Sequence, residues 1–226
     1  MTSNFKKKMF EYYDARAEEY EELYKGKGPA SIPDTDAYKR ESHILVKIVE
    51  RFGAGKIIDI ACGTGFWLPY YAHKCCDITL FDQSKRMLAE CRKKVEMLNI
   101  QNKCMLLCGD FLTHQFANDD YDRAIIGFFI SHLTEEEEKK FFCVLKKILK
   151  PKGRFLFFDS TWNEERAKTR EKEGKHRRSL NDGREYDIYK RYFEVSDIKP
   201  LAEKHGLVLT IEHVGRVFIA ALGQFR

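Results

Sequence analysis

The sequence has no long apolar run. Its longest, residues 124–130, is seven residues, far short of the ~20 that a helix needs to cross a bilayer. The opening MTSNFKKKMFEYYDARAEEY turns highly charged at once, so no secretory leader is expected. The seven cysteines (62, 75, 76, 91, 104, 108 and 143) contain no C-x-x-C pair. Their odd number, and the apolar setting of several, read as small hydrophobes of a reduced, cytoplasmic protein. A disulfide framework or a metal site is not expected. Charge of a single sign is also missing, because 40 Lys and Arg stand against 35 Asp and Glu, a net +5. Residues 164–191 hold ten basic and seven acidic residues, and so carry +3 of that excess. A nucleic-acid footprint is normally a denser patch of one sign, which disfavours nucleic acid as the partner.

What is present is an aromatic, globular composition, with 43% hydrophobic residues, 17 Phe and 11 Tyr among 226. That is too apolar for disorder, and a domain of this length buries roughly 70% of its unfolded surface. Residues 5–24 read as a helix, broken by Gly26, Gly28, Pro29 and Pro33. A second helix at 34–52 places Ile44, Leu45, Ile48 and Val49 at helical spacing and stops at Gly53.

Strands and helices then alternate. Residues 56–60, 77–81, 104–108, 124–130 and 154–158 read as strands. Between them, residues 64–73 read as a helix, Ser84 caps another, and Thr134 with Glu137 forms a capping box for a third. Continuous apolar strands between helices predict an α/β fold, a doubly wound and mostly parallel sheet covered on both faces. The tail from Leu207 reads as an antiparallel hairpin turning at Gly215.

The chemistry concentrates where the first strand ends, in Ile57-Ile-Asp-Ile-Ala-Cys-Gly-Thr-Gly65. Glycines at a strand-to-helix turn let a backbone approach a ligand. Asp82, seventeen residues after Gly65, closes the second strand, where a carboxylate can accept both hydroxyls of a ribose. A dinucleotide reading fits poorly, since bulky Phe66 and Trp67 follow Gly65 where a diphosphate needs room. Asp59 inside the motif repels a diphosphate but suits an ammonium. The ligand expected is a nucleoside with a zwitterionic tail, and S-adenosylmethionine is such a molecule.

Taken with Phe81-Asp-Gln-Ser84, Gly109-Asp-Phe111, Tyr121-Asp122 and Leu149-Lys-Pro-Lys-Gly-Arg154, the motif resembles class I S-adenosylmethionine-dependent methyltransferases in order and register. The likeness covers roughly residues 9–222. Ala61-Cys-Gly-Thr-Gly-Phe-Trp67 and Gly127-Phe-Phe-Ile-Ser-His-Leu133 look like a bacterial small-molecule-type subgroup, with Ala61 standing where a first glycine is usual. The resemblance implies a Rossmann-like seven-stranded sheet within one domain, 1–226. It also implies an N-terminal lid helix in 1–33 and an acceptor-side cap at 160–193.

Carried over by position, the resemblance assigns the cofactor site. Asp59 would meet the methionine ammonium, while Ala61, Cys62, Gly63 and Gly65 line methionine and ribose. Asp82 would hold the ribose, Gln83, Met87, Asp110 and Phe111 would surround the adenine, and Gly127 would also contact the cofactor. Tyr13 and Tyr20 would close over the methionine end. The acceptor would enter at Gly127, Phe128, Phe129 and His132. His132 is the candidate base, the alternative being a histidine that only bonds the following loop. In the cap, Arg177, Arg178, Arg184 and Tyr186 could bind an acidic or polar acceptor, or form a solvated surface. The function implied is methyl transfer to O or N of a small molecule. An RNA-directed methyltransferase and a non-catalytic cofactor-binding protein are the alternatives.

Overall fold

Residues 3–28 and 32–226 are described in the computed structural model of this chain, with side chains from Phe5 onward. Pro29, part of the expected helix break, lies outside the described residues. Strand β1 (Gly55–Ile60) is buried from Ile57 to its end, as a strand at the centre of a covered sheet must be. It pairs in parallel with β2 (Cys75–Asp82) on one side. β3 (Cys104–Cys108) lies beyond β2, again parallel. On the other side of β1 come β4 (Tyr121–Gly127) and then β5 (Leu149–Ser160), both parallel. A separate antiparallel hairpin is formed by β6 (Glu173–Ser179) and β7 (Glu185–Arg191).

The last pair, β8 (Leu207–Val214) and β9 (Phe218–Phe225), completes a seven-stranded sheet of order β3-β2-β1-β4-β5-β9-β8. β9 runs antiparallel to β5. The strand order reverses between β1 and β4, which opens a crevice at their carboxyl ends. Alternation along each strand feeds two cores, one on each sheet face. Ile57, Leu156 and Phe158 join Leu45, Val49 and Trp67 on one face. Ile58, Ile60, Phe155 and Phe157 join Phe141 and Leu145 on the other.

Helix α1 (Ser3–Ala15) stops before the expected residue 24, and a separate 3₁₀ turn, Tyr20–Lys25, follows. Between them Ala17 and Glu19 bond back three residues, to Asp14 and Arg16, which tightens the chain and redirects Arg16 and Tyr20. Helix α2 (Thr35–Phe52) is capped by Asp34, which accepts from the Ala37 amide at 3.0 Å. The expected helix at 64–73 contracts to α3 (Leu68–Tyr71) plus a 3₁₀ turn. Pro69 sits in its first turn, and left-handed Gly63 and Gly65 occupy the residues before it. Helices α4 (Lys85–Met97) and α5 (Glu135–Ile148) start at Ser84 and at the Thr134–Glu137 capping box as expected.

β4 ends at Gly127 rather than at residue 130, because Phe128 turns left-handed (φ 55°) and Ile130–His132 coil into a 3₁₀ turn. Helices α6 (Glu164–Ala167) and α7 (Val195–His205), and strand β6, are further elements that hydropathy does not mark. In β6 the reason is plain. Its inward residues are His176 and Arg178, so polar residues stand on both faces and no apolar alternation appears.

Candidate active site

The cleft begins where β1 ends. Ala61 and Gly63 both take left-handed conformations (φ 55° each), and for alanine that costs roughly 1–2 kcal/mol. The turn directs the Gly63 amide at Asp82, whose Oδ2 accepts at 2.9 Å, while Oδ1 accepts the Ser84 amide at 2.8 Å. Burial raises the Asp82 carboxyl to about 6, although those amides oppose the shift. Both oxygens retain lone pairs for further donors.

Asp59 lies deeper, 2% exposed, and accepts from the Tyr71 hydroxyl at 2.8 Å. Burial raises its carboxyl to about 7. Gly65 serves packing: a Cβ there would sit 2.6 Å from Cys91 Sγ on α4.

Ten of the cofactor positions line one cleft of about 730 Å³ including its mouth. Ala61, Gly63, Asp82 and Gln83 form one wall; Met87, Asp110 and Phe111 form another. Gly127 and the tyrosines Tyr13 and Tyr20 complete it. Asp59, Cys62 and Gly65 stand behind this lining. Met9 and Ser84 join the lining without having been singled out in the sequence. The Ser84 hydroxyl donates to Asp14 of α1 at 2.6 Å, and Thr64 donates to Glu21 at 2.7 Å. The N-terminal segment is thereby tied across the mouth.

A second cavity, about 550 Å³ with its open mouth included, adjoins the first and shares Tyr13, Tyr20, Phe128 and His132 with it. His132 Nδ1 faces the Tyr189 carbonyl at 2.6 Å and must therefore carry the proton. Nε2 is then the acceptor for the Tyr13 hydroxyl at 2.8 Å. Burial, reinforced by the Lys190 charge, keeps the imidazole well below its ordinary pKa. The ring is a neutral base over the whole physiological range.

The cap departs from the residue-level expectation. Arg177 is exposed and faces Glu185 and Asp187, and Arg184 is paired with Asp182 at 2.7 Å. Neither lines a cavity, because strand alternation turns Arg178 inward instead. Tyr186 packs its ring 5.7 Å from that of Tyr12. The second cavity takes Arg16, Arg166, Arg178 and Lys190, of which the sequence had pointed only to Arg178. In the polar strand β6 no sequence signal separates Arg178 from Arg177.

A strand-order reversal, a glycine turn under β1 and an acid ending β2 make this an α/β protein with a cleft at the carboxyl ends of its central strands. Residues 57–153 match the family model described as a methyltransferase domain. The chain is 31% identical over 83 residues to a phosphatidylethanolamine N-methyltransferase of Cereibacter sphaeroides, covering 37% of this chain and 40% of that protein. It thus spans well under two thirds of that relative. An uncharacterized methyltransferase of Geobacillus kaustophilus is 22% identical over 197 residues, 87% of this chain and 84% of that one. The solved structure of a DhpI-SAM-HEP complex superposes with a TM-score of 0.79 at 20% identity, covering 99% of both chains. The methyltransferase-domain match thus spans residues 57–153, a little under half of the chain, and the fold it shares with the DhpI-SAM-HEP complex extends over the rest. No helix among the described residues is long and apolar enough to cross a membrane.

Proposed function

We propose that this protein moves a methyl group from S-adenosylmethionine to an oxygen or nitrogen of a small molecule held in the second cavity. The supporting observation is the shared wall: a cofactor-shaped cleft and a separate cavity meet at Tyr13, Tyr20, Phe128 and His132. The cleft suits the cofactor, since Gly63 leaves open space toward Tyr20, whose ring a Cβ would touch at 3.4 Å. Asp82 holds the ribose diol with its spare lone pairs, and Asp59 supplies the counter-charge for the ammonium. Walled by side chains from Tyr12 to Phe218, the second cavity suits a metabolite rather than a polynucleotide.

The bound cofactor supplies an electrophilic sulfonium methyl, and the acceptor lone pair forms the new bond as the sulfur–carbon bond breaks. The protein's part is position and proton transfer. Phe128 and Phe129 shape the wall, and the Tyr13 oxygen can take the acceptor proton while passing its own to His132 Nε2. Residues 1–33 act as the lid, through Asp14 and Glu21, and residues 160–193 as the acceptor-side cap. Calorimetry with S-adenosylmethionine and its demethylated product, followed by a metabolite screen for release of that product, tests the reading. Folded protein that binds neither would sink it.

A further inference from the structure

The second cavity holds a charge imbalance that the fold itself does not need. Four cations line it, Arg16, Arg166, Arg178 and Lys190, and each is at most 7% exposed. Lys190 is matched by Asp159 at 2.6 Å and also donates to Ser131 at 2.6 Å. Among the described residues, no carboxylate lies within ion-pair reach of Arg16 or Arg178. Arg178 donates only to the Arg177 carbonyl and the Tyr192 hydroxyl, each at 3.2 Å. Among the described residues, Arg16 Nε and Nη2 and the adjacent Tyr12 hydroxyl are buried with no hydrogen-bond partner. Its guanidinium rests over the rings of Tyr12 and Tyr20, 5.7 and 5.2 Å from their centroids.

Buried guanidinium groups normally have an acidic partner, because desolvating an unpaired charge is expensive. The field they set up is visible in their neighbours. Burial alone would raise the Tyr192 phenol, yet Arg178, Lys190 and Arg166 hold it below its ordinary value. His176, on the same face of β6, is pushed down to about 4 by burial and by Arg178 and Arg170, and so adds no charge of its own. The cations come from the turn after α1 (Arg16), from α6 (Arg166) and from the β6–β7 hairpin (Arg178 and Lys190), segments that only the tertiary fold brings to one cavity. A structural role would be served as well by apolar side chains.

Resting on the methyl-transfer reading above, we infer that the acceptor carries a compact oxyanion of the carboxylate, sulfonate or phosphoryl kind. Arg16 and Arg178 grip that group in the second cavity, with the Tyr12 hydroxyl donating beside them. Guanidinium forks suit such oxygens better than any neutral group does. The anion end then fixes which atom of the acceptor faces the shared wall at Tyr13 and His132. One cavity therefore selects by charge and the other by nucleoside shape.

Inorganic phosphate, sulfate and acetate, titrated at constant ionic strength into protein saturated with the demethylated cofactor, provide the test. At least one should bind saturably at one site, and Arg178→Met should weaken it at least tenfold. Lys175→Gln, an equal charge loss on the exposed face of the same strand, should leave binding unchanged. Arg178→Met should also keep or raise the melting temperature, since an uncompensated buried cation is removed. If that variant does not fold, Arg16→Met gives the same comparison from the turn after α1. Binding that survives both substitutions, or equal loss in Lys175→Gln, would overturn the inference. So would the absence of saturable anion binding while cofactor binding is intact. Loss of cofactor binding by folded wild type would instead strike the methyl-transfer reading, so the two failures are distinguishable.

Discussion

The two cavities that meet at His132 are built by opposite means. The cofactor cleft is made largely of backbone and strand ends within residues 59–132, with only the N-terminal segment brought in from outside. Its key contacts, the Gly63 and Ser84 amides on Asp82, follow from local turns. The second cavity is made of side chains drawn from residue 12 to residue 218. Its character depends on which face of a strand each residue occupies. A ligand shared by many proteins can be held by backbone geometry that many sequences satisfy, whereas a particular acceptor must be selected by side chains.

The sharpest way to break this division of labour is at the shared wall. His132→Ala should lower turnover by about 10²–10⁴-fold if the imidazole receives the acceptor proton, while cofactor affinity measured by calorimetry stays within error. The imidazole is held neutral well below its usual pKa. At saturating cofactor the wild-type rate should therefore stay level as pH falls from 8 to about 6.5, declining only in stronger acid. Full turnover in the mutant would leave catalysis to positioning alone.

Asp82→Ala probes the cofactor side by itself. Losing hydrogen bonds to a charged group typically costs about 1.5–3 kcal/mol, or roughly ten- to hundredfold in cofactor affinity. Circular dichroism should report an intact fold. An unchanged dissociation constant would reduce Asp82 to a turn-forming residue.

A smaller effect is expected from pH. Asp59 sits at about 7 in the free protein because it is buried, against about 4 in an unfolded chain. An ammonium requires the carboxylate form, so cofactor affinity should fall as pH drops through 7, by at most about tenfold per unit. Stability of the cofactor-free protein runs the other way. The folded state holds this proton after the unfolded chain has released it, so the contribution from Asp59 declines as pH rises from about 4 to 7. Asp59→Asn should flatten the acid side of the affinity profile; a profile unaltered by it would assign the dependence elsewhere.

The smallest expected change is at Ala61. Its left-handed backbone (φ 55°) favours glycine by roughly 1–2 kcal/mol, partly offset by about 0.5–1 kcal/mol of extra unfolded-state freedom. Ala61→Gly should therefore shift the melting temperature upward by only a few degrees, with cofactor affinity little changed. A loss of stability would mean that the alanine methyl makes packing contacts worth more than the strain.

The contrast between the halves also governs how much could be read without coordinates. The parallel sheet, the caps at Ser84 and Thr134 and most of the cleft lining were legible, because local spacing expresses them. The sequence shows Ala61 only as an alanine where a first glycine is usual, and its strain emerges from the backbone angle. The N-terminal helix was read too long, since its break after Ala15 coincides with contacts to Ser84 and to the cap hairpin that lie far away in sequence. Charge in the cap points to Arg177, Arg178 and Arg184 alike, and the pleat of β6 brings only Arg178 of the three to the cavity. With charged residues on both faces of that strand, no hydropathy pattern could settle the choice.

By itself, then, the amino-acid sequence determined the alternating α/β order, the glycine turn and the acid at the end of β2. Each is a matter of residues a few positions apart, acting through backbone sterics, capping and burial of alternate side chains. Only the tertiary structure decided that the Tyr13 hydroxyl meets His132 Nε2 and that Arg16 and Arg178 enclose one cavity. Those relations join segments more than a hundred residues apart. They are set by how α1 and the cap hairpin pack over the sheet, which no local interaction encodes.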